Sequence, residues 1–227
     1  MSSNIRLQNV TLPIVAILRG VRPDEAVDIG AALLDAGVRI IEVPLNSPQP
    51  LASIERLTAA FGKRALLGAG TVLSVEDVDE VAAAGGRLIV SPNTDRAVIE
   101  QAIERGLDVL PGFTTPTEAL VAIASGARDL KLFPAGSIGP AHLRALREVL
   151  PADSRVWAVG GVDASNLGQW LHAGASGVGI GGSLYRPGSS ALAVRESAVK
   201  LVTAWRASEA QRAAPHPGSA SGQNNRQ

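Results

Sequence analysis

The 227-residue chain contains no cysteine, only three histidines, few aromatic residues and no excess of either charge. The absence of cysteine excludes disulfides, iron–sulfur clusters, cysteine-ligated zinc and thiol nucleophiles. Lysine plus arginine equals aspartate plus glutamate, at 21 each, and this balance argues against a general nucleic-acid or acidic-membrane surface. Histidines and carboxylates do not occur at metal-ligand spacing, so we expect no bound metal.

The chain also lacks the pattern of a secretory signal and a convincing membrane span. The first nine residues are polar, and the apolar run that follows them soon meets Arg19. The longest uncharged stretch, Ala164–Tyr185, is about as long as a membrane span. Its many glycines and polar residues instead indicate a helix, a turn and a strand. We therefore expect a soluble cytoplasmic protein that binds neither membrane nor nucleic acid.

Short apolar runs alternate with amphipathic segments, in units of roughly 20 to 27 residues. Near-continuous hydrophobicity is typical of parallel strands that are covered on both faces. The candidate strands are Pro13–Leu18, Val38–Val43, Ala65–Gly68, Arg87–Ser91, Asp108–Pro111, Asp129–Phe133, Arg155–Val159 and Gly177–Gly181. Eight such units predict an α/β fold, a single (β/α)8 TIM barrel, although a doubly wound open sheet has the same alternation.

The domain organisation follows from the same pattern. We expect one barrel domain over residues 1–206, with a short helix at Ile5–Val10 that plugs the bottom of the barrel. From residue 207 to residue 227 the chain is rich in alanine, proline, glycine, serine and asparagine and has no apolar period. This composition predicts a disordered tail.

Two charged residues interrupt the apolar strands near their carboxyl ends, where barrels carry their chemistry. Lys131 lies in Asp-Leu-Lys-Leu-Phe-Pro, and burial there lowers a lysine pKa and yields a neutral amine that attacks ketones. Alternatively, its stem packs in the barrel wall while its ammonium group reaches solvent at the rim. Glu42 lies late in the second strand, where it could shuttle protons or form a buried salt bridge, for example with Lys131.

Glycine-rich segments end the seventh and eighth strands, with Gly160 and Gly161 after the seventh and Gly182 and Ser183 after the eighth. In TIM barrels these two loops commonly bind phosphate through backbone N–H groups. Tight turns also require glycine, but the occurrence of both segments in the expected pair of loops favours a phosphate site.

Arg19 ends the first strand and Thr71 follows the third. Arginine binds carboxylates through two parallel hydrogen bonds, and a threonine hydroxyl could donate to the same group. The alternatives are an arginine in a surface ion pair and a threonine that merely forms a turn.

Five motifs, which include Glu42, Thr71, Lys131, Gly160 and Gly161, occur in order: Ile-Ile-Glu-Val-Pro-Leu-Asn-Ser-Pro, Gly-Ala-Gly-Thr-Val-Leu, Leu-Ile-Val-Ser-Pro-Asn, Leu-Lys-Leu-Phe-Pro-Ala and Ala-Val-Gly-Gly-Val. Together they resemble the aldolases of 2-keto-3-deoxy-6-phosphogluconate (KDPG) and 2-keto-3-deoxy-6-phosphogalactonate (KDPGal), over roughly residues 10 to 190. The resemblance implies a trimeric (β/α)8 barrel that uses no metal or other cofactor. It further implies that Lys131 forms the Schiff base and Glu42 is the general acid/base. The remaining implied roles are carboxylate binding for Thr71, pocket lining for Pro92 and Phe133, and phosphate binding for Gly160, Gly161, Gly182 and Ser183.

The sequence departs from the phosphogluconate branch at two positions. That branch usually has an arginine four residues after the glutamate, where this chain has Asn46, and here Arg19 would bind the substrate carboxylate instead. Val159 stands where that branch typically has threonine, and the loss of a hydroxyl is a route to a changed epimer preference. Both departures resemble the phosphogalactonate branch.

The expected function is therefore a class I aldolase that cleaves KDPGal to pyruvate and D-glyceraldehyde 3-phosphate. The gluconate epimer as main substrate is one alternative. A phosphosugar isomerase or synthase on the same barrel is another, and a non-catalytic phosphosugar sensor is the third.

Overall fold

Parallel strands form the centre of the fold in the computed structural model, which describes residues 5–213. The strands are β1 (Ile14–Ile17), β2 (Ile40–Pro44), β3 (Leu66–Gly70), β4 (Leu88–Val90), β5 (Asp108–Leu110), β6 (Gly112–Phe113), β7 (Asp129–Leu132), β8 (Arg155–Val159) and β9 (Gly177–Ile180). Their order in the sheet is β5-β4-β3-β2-β1-β9-β8-β7-β6. Each of the eight predicted strands is present, with bounds that differ by a few residues.

The barrel closes at Pro111, which separates β5 from β6. Proline has no backbone N–H and therefore interrupts the ladder at this point. Its carbonyl still accepts a 2.8 Å hydrogen bond from the Lys131 amide, so β5 and β6 together act as the fifth barrel strand. The two ends of the sheet are thus consecutive in the chain. The predicted (β/α)8 barrel is confirmed, and the open doubly wound sheet is wrong.

Helices cover the outside of the barrel: α1 (Ala26–Ala36), α2 (Pro50–Phe61), α3 (Val75–Ala83), α4 (Arg96–Glu104), α5 (Pro116–Ala124), α6 (Ala135–Ile138), α7 (Pro140–Arg147), α8 (Leu167–His172) and α9 (Ala191–Ala213). Ser74 caps α3 and Thr115 caps α5, each in a capping box with the acidic residue three positions later. None of the helices within residues 5–213 combines the length and the hydrophobicity that a membrane span requires.

Strand alternation divides the core into an outer and an inner layer. In β2, Ile41 and Val43 pack in the large cluster between strands and helices, whereas Ile40 packs in the barrel interior with Trp157 and Val159. Because successive side chains of a strand point to opposite faces, the residue two positions after Ile40 also faces inwards. The interior is therefore apolar at its base and receives Glu42 near its upper end.

The bottom of the barrel is plugged as expected from the sequence. A 3-10 turn at Leu7–Asn9 precedes β1, within the helix predicted at Ile5–Val10. Leu7 is 3% exposed and belongs to the inner apolar cluster. Arg6 holds the segment in place, since its Nη1 donates to the Gly106 carbonyl at 2.8 Å.

The predicted tail boundary at residue 207 lies inside α9, which continues to residue 213. This part of the prediction is wrong because the extension packs on α8: Arg212 Nη1 donates to the Leu171 carbonyl, and Ser208 lies against Gly168. The boundary was placed at residue 207 because the apolar periodicity ends before it. The contacts that extend the helix are made by polar residues, so the periodicity does not reveal them. The rest of the predicted tail, residues 214–227, lies outside the described residues.

Candidate active site

Lys131 lies inside β7 and Glu42 lies inside β2, and both face the same cavity. Leu130 and Leu132 pack against the helices, so the alternation of β7 directs Lys131 into the barrel. Lys131 is 6% exposed and Glu42 is 2% exposed. Lys131 therefore does not extend to solvent at the rim.

Glu42 is a buried carboxylate whose space is provided by Gly70. A Cβ atom on Gly70 would overlap with Glu42 Oε2, so any larger residue there would displace the carboxylate. Within the described chain, Oε2 has no hydrogen-bond partner. Burial raises the pKa of Glu42 from 4.5 to about 7, against the opposing effects of Lys131 and Arg19. The carboxyl group can therefore both accept and donate a proton near neutral pH.

Lys131 has the complementary perturbation. Burial lowers its pKa below the usual lysine value; Arg19 lowers it further, whereas Glu42 opposes the shift. Its Nζ lies 4.7 Å from the centroid of the Phe133 ring. Among the ion pairs of the described residues, none joins Lys131 to Glu42. The arrangement favours a reactive amine with a nearby proton carrier over a structural salt bridge.

Arg19 follows β1 and is held from the loop after β2. Its Nη1 donates to Asn46 Oδ1, and the adjacent Gly20 amide donates to Ser47 Oγ at 2.9 Å. Arg19 is exposed and is not part of a surface ion pair among the described residues. Its charge acts on both Glu42 and Lys131, so it is available to an anion beside them.

The two glycine segments form one wall of the cavity. Gly160 and Gly161 have φ values of 91° and 76°, a left-handed conformation that other residues rarely adopt. A Cβ atom on Gly161 would lie 3.0 Å from the Cα of Gly136. In the described part of the chain, the amides of Gly161, Gly182 and Ser183 have no acceptor. Tight turns explain the glycines but leave these donors free for an anion.

The cavity that Lys131 and Glu42 face has a volume of about 410 Å³. Of the predicted site residues, it is lined by Arg19, Glu42, Lys131, Phe133, Val159, Gly160, Gly161, Gly182 and Ser183. Thr71 and Pro92 do not line it. A larger groove of about 670 Å³ lies outside the barrel among α7, α8 and α9, and none of the predicted site residues lines it.

Thr71 lies directly after β3 in a strained conformation, with φ at 57°. A β-branched residue at positive φ is a clear exception to ordinary backbone geometry. Such strain tends to occur at functional sites, so the conformation supports a role for Thr71 although the residue lies outside the cavity lining.

Comparison with known families gives a match over residues 5–200 to the model for KDPG and KHG aldolase. The chain belongs to the KDPG and KHG aldolase family. The match spans the whole barrel and includes every predicted site residue. Within residues 5–213, no group of three or more histidine and acidic residues is placed to hold a metal ion.

Relatives in this family include proteins of both branches. The chain is 48% identical over 195 residues to a 2-dehydro-3-deoxy-6-phosphogalactonate aldolase of Escherichia coli (strain K12), which covers 86% of this chain and 95% of that protein. A KHG/KDPG aldolase of the same strain is 31% identical and covers 78% of this chain and 82% of that protein. The solved native KDPGal structure superposes with a TM-score of 0.88 at 46% identity, covering 91% of this chain and all of that one.

Arg186 and Asp163 are charged lining residues of this aldolase cavity that the sequence analysis missed. Asp163 lies two residues after the glycine pair that follows β8, and Arg186 lies in the loop between β9 and α9. Both lie outside the quoted motifs, and an arginine in a loop reads as an ordinary surface residue. The available signal was their nearness in sequence to the two glycine segments.

Proposed function

We propose that the chain is a class I aldolase that cleaves KDPGal to pyruvate and D-glyceraldehyde 3-phosphate. The observation that carries the proposal is the buried pair of Lys131 and Glu42, which face one cavity and have pKa values shifted towards their neutral forms. The 48% identity to a 2-dehydro-3-deoxy-6-phosphogalactonate aldolase supports the choice of substrate.

The reaction begins with imine formation. The neutral Lys131 amine attacks the C2 ketone of the substrate, and loss of water gives a protonated imine. Burial favours this step because it lowers the pKa of Lys131 and increases the neutral fraction. The positive nitrogen then serves as the electron sink for bond cleavage.

Glu42 moves the protons of the later steps. Its carboxylate takes the C4 hydroxyl proton as the C3–C4 bond breaks, and the bonding electrons form an enamine at C3. D-Glyceraldehyde 3-phosphate leaves. Glu42 then returns the proton to C3, and water hydrolyses the imine to release pyruvate and free Lys131. A pKa of about 7 suits both directions of transfer.

The remaining site residues bind the two charged ends of the substrate. Arg19 holds the carboxylate next to Lys131, because Arg19 is the cation that acts on the catalytic pair. The strained turn at Thr71 supports a second contact to the carboxylate, although Thr71 does not line the cavity. At the other end, the free amides of Gly161, Gly182 and Ser183 donate to the phosphate, and Gly160 shapes the turn. Phe133 lines the cavity beside Lys131 and packs against the reacting carbons, whereas the pocket role of Pro92 stays a prediction because Pro92 does not line the cavity.

Val159 supports the galacto epimer as substrate. The residue lines the cavity with an apolar side chain that is 3% exposed, so it offers no hydroxyl to the C4 oxygen of the gluco epimer. A site without this hydroxyl donor gains no binding energy from the C4 oxygen of the gluco epimer.

Trapping with pyruvate and borohydride tests the imine directly. The chain has three lysines, and Lys63 and Lys200 are exposed, so peptide mapping assigns the adduct without ambiguity. We expect one reduced pyruvyl group on Lys131, none in Lys131→Ala, and full labelling in the control variants Lys63→Ala and Lys200→Ala. Labelling that persists in Lys131→Ala would refute the role of Lys131. No labelling of the wild type would favour a phosphosugar isomerase, a synthase or a non-catalytic sensor.

Pyruvate release from KDPGal and KDPG, measured in parallel with a coupled dehydrogenase, tests the substrate. We expect a higher kcat/KM for KDPGal. Equal or reversed values would refute the epimer assignment and leave the imine mechanism intact.

We further propose a homotrimer, as the family resemblance implies. A solved chain that is 47% identical and covers 89% of this one comes from a protein cage designed by fusing symmetric oligomeric domains. Light scattering during gel filtration should give three times the chain mass, and a monomer mass would refute the proposal. A cytoplasmic location stays a prediction, which cell fractionation would test.

A further inference from the structure

Arg186 is a cation of the active-site cavity to which the mechanism above gives no role. It lies in the loop between β9 and α9, four residues after Gly182, and its side chain is exposed. Its side chain nevertheless lines the same cavity as Lys131 and Glu42. Arg186 therefore adds a positive charge to the cavity from a loop that contains none of the catalytic residues.

The loop fixes the direction of the Arg186 side chain. Its Nε donates to the Gly182 carbonyl at 2.9 Å, which lays the guanidinium across the turn that offers the Gly182 and Ser183 amides. The backbone is also held, since the Arg186 amide donates to Ser189 Oγ at 3.2 Å and the Ser189 amide donates to the Arg186 carbonyl at 2.9 Å. Nη1 and Nη2 donate to no acceptor among the described residues.

Charge is distributed unequally along the cavity. Among its described lining residues, the charged ones are Arg19, Glu42, Lys131, Asp163 and Arg186. Arg19 acts on the pKa of both catalytic groups, whereas Arg186 is bonded to the glycine turn through the Gly182 carbonyl. The Asp163 carboxylate accepts hydrogen bonds from the Ser165 amide and hydroxyl and stays ionised, because these bonds lower its pKa. The glycine end therefore carries a fixed negative charge that opposes a phosphate unless a cation offsets it.

We propose that Arg186 binds the substrate phosphate through its free terminal nitrogens, in concert with the Gly182 and Ser183 amides, and thereby selects phosphorylated over unphosphorylated substrates. The assignment rests on the proposed aldolase function. Guanidinium and phosphate form parallel charge-assisted hydrogen bonds. Because the Nε bond to Gly182 already holds the side chain, Nη1 and Nη2 can bind the phosphate with little further loss of side-chain entropy. Backbone amides alone would supply partial charges, whereas Arg186 supplies a full one.

The test compares Arg186→Gln with wild type on two substrates, KDPGal and its unphosphorylated counterpart 2-keto-3-deoxygalactonate. We expect kcat/KM for KDPGal to fall about 10- to 100-fold, mostly through KM, with kcat/KM for the unphosphorylated substrate unchanged. Arg186→Lys keeps the charge without the planar fork and should recover part of the loss. Inorganic phosphate should inhibit the wild type competitively and Arg186→Gln more weakly.

The control is Arg195→Gln, which removes the same charge from an exposed position on α9 and should leave both substrates unaffected. An equal loss on the two substrates would overturn the proposal in favour of a structural role for Arg186. A higher half-saturating pyruvate concentration for borohydride labelling would instead assign Arg186 to the carboxylate end, which also overturns it. Failure of the proposed function is separable, because then the wild type itself would cleave neither substrate.

Discussion

Replacing Glu42 with glutamine should abolish proton transfer and should make the stability of the variant, relative to that of the wild type, increase as the pH rises. Burial raises the pKa of this carboxyl from 4.5 to about 7, which corresponds to about 3 kcal/mol between its two protonation states. Because the folded-state pKa is the higher one, this contribution to stability is fully present below pH 4.5 and is lost as the pH rises through about 7. Glutamine stays neutral at every pH, so its contribution to stability does not change with pH.

The assay is urea denaturation of both proteins from about pH 4 to about pH 9. The unfolding free energy of Glu42→Gln minus that of the wild type should rise by about 3 kcal/mol over this range. Most of the rise should fall between pH 4.5 and 7, where the folded and unfolded carboxyls differ in charge. The buried amide adds a constant offset, so the prediction concerns the change with pH and not the absolute difference.

Glu104→Gln is the control, since it removes one negative charge at an exposed position on α4. Protein concentration must be the same throughout, because subunit association would shift apparent stability. A difference that stays flat with pH, or one that falls as pH rises, would refute the claim that burial destabilises the ionised carboxylate.

Three further substitutions have expected outcomes. Asn46→Ala removes the hydrogen bond that holds Arg19. In steady-state kinetics we expect the KM for the substrate and the half-saturating pyruvate concentration to rise about 3- to 10-fold, with little change in kcat. Val159→Thr adds a hydroxyl to the cavity wall and should move the ratio of kcat/KM values roughly tenfold towards KDPG; an unchanged ratio would contradict the epimer argument. Thr71→Gly should exceed Thr71→Ala in stability by about 1 kcal/mol in thermal or urea unfolding, because glycine tolerates the positive φ at this position, and both variants should lose activity if the hydroxyl binds substrate.

The barrel was predictable because each strand is a short and mostly apolar run between helix signals. Two features depend on information that hydrophobic periodicity does not carry. The fifth strand is split at Pro111 because proline has no backbone N–H. The hydrogen bond from the Lys131 amide to the Pro111 carbonyl, which joins the two halves to β7, is seen only in the three-dimensional structure. The extension of α9 past residue 207 depends on tertiary contacts of Arg212 and Ser208 with α8.

The catalytic pair was predictable for a different reason. A lysine and a glutamate inside buried strands are costly unless they are paired or functional, so each is conspicuous in an apolar run. Loop residues carry no comparable signal. In the sequence Arg186 resembles any surface arginine, and only the structure shows that its bond to Gly182 directs it to the cavity. The positive φ at position 71 could not be predicted, because the residue there is threonine and not glycine.

The reactivity of the pair depends on residues that no catalytic motif contains. Leu7 and Trp157 belong to the apolar cluster that fills the barrel below the site, and Lys131 and Glu42 line the cavity above it. Burial is accordingly the largest cause of both pKa shifts, and Arg19 adds a positive charge that further disfavours the lysine ammonium. Imine chemistry needs an uncharged amine and a carboxyl that exchanges its proton near neutral pH. Because the apolar interior of the barrel contributes to this burial, a change in the barrel floor that admits water should reduce activity without contact with any site residue.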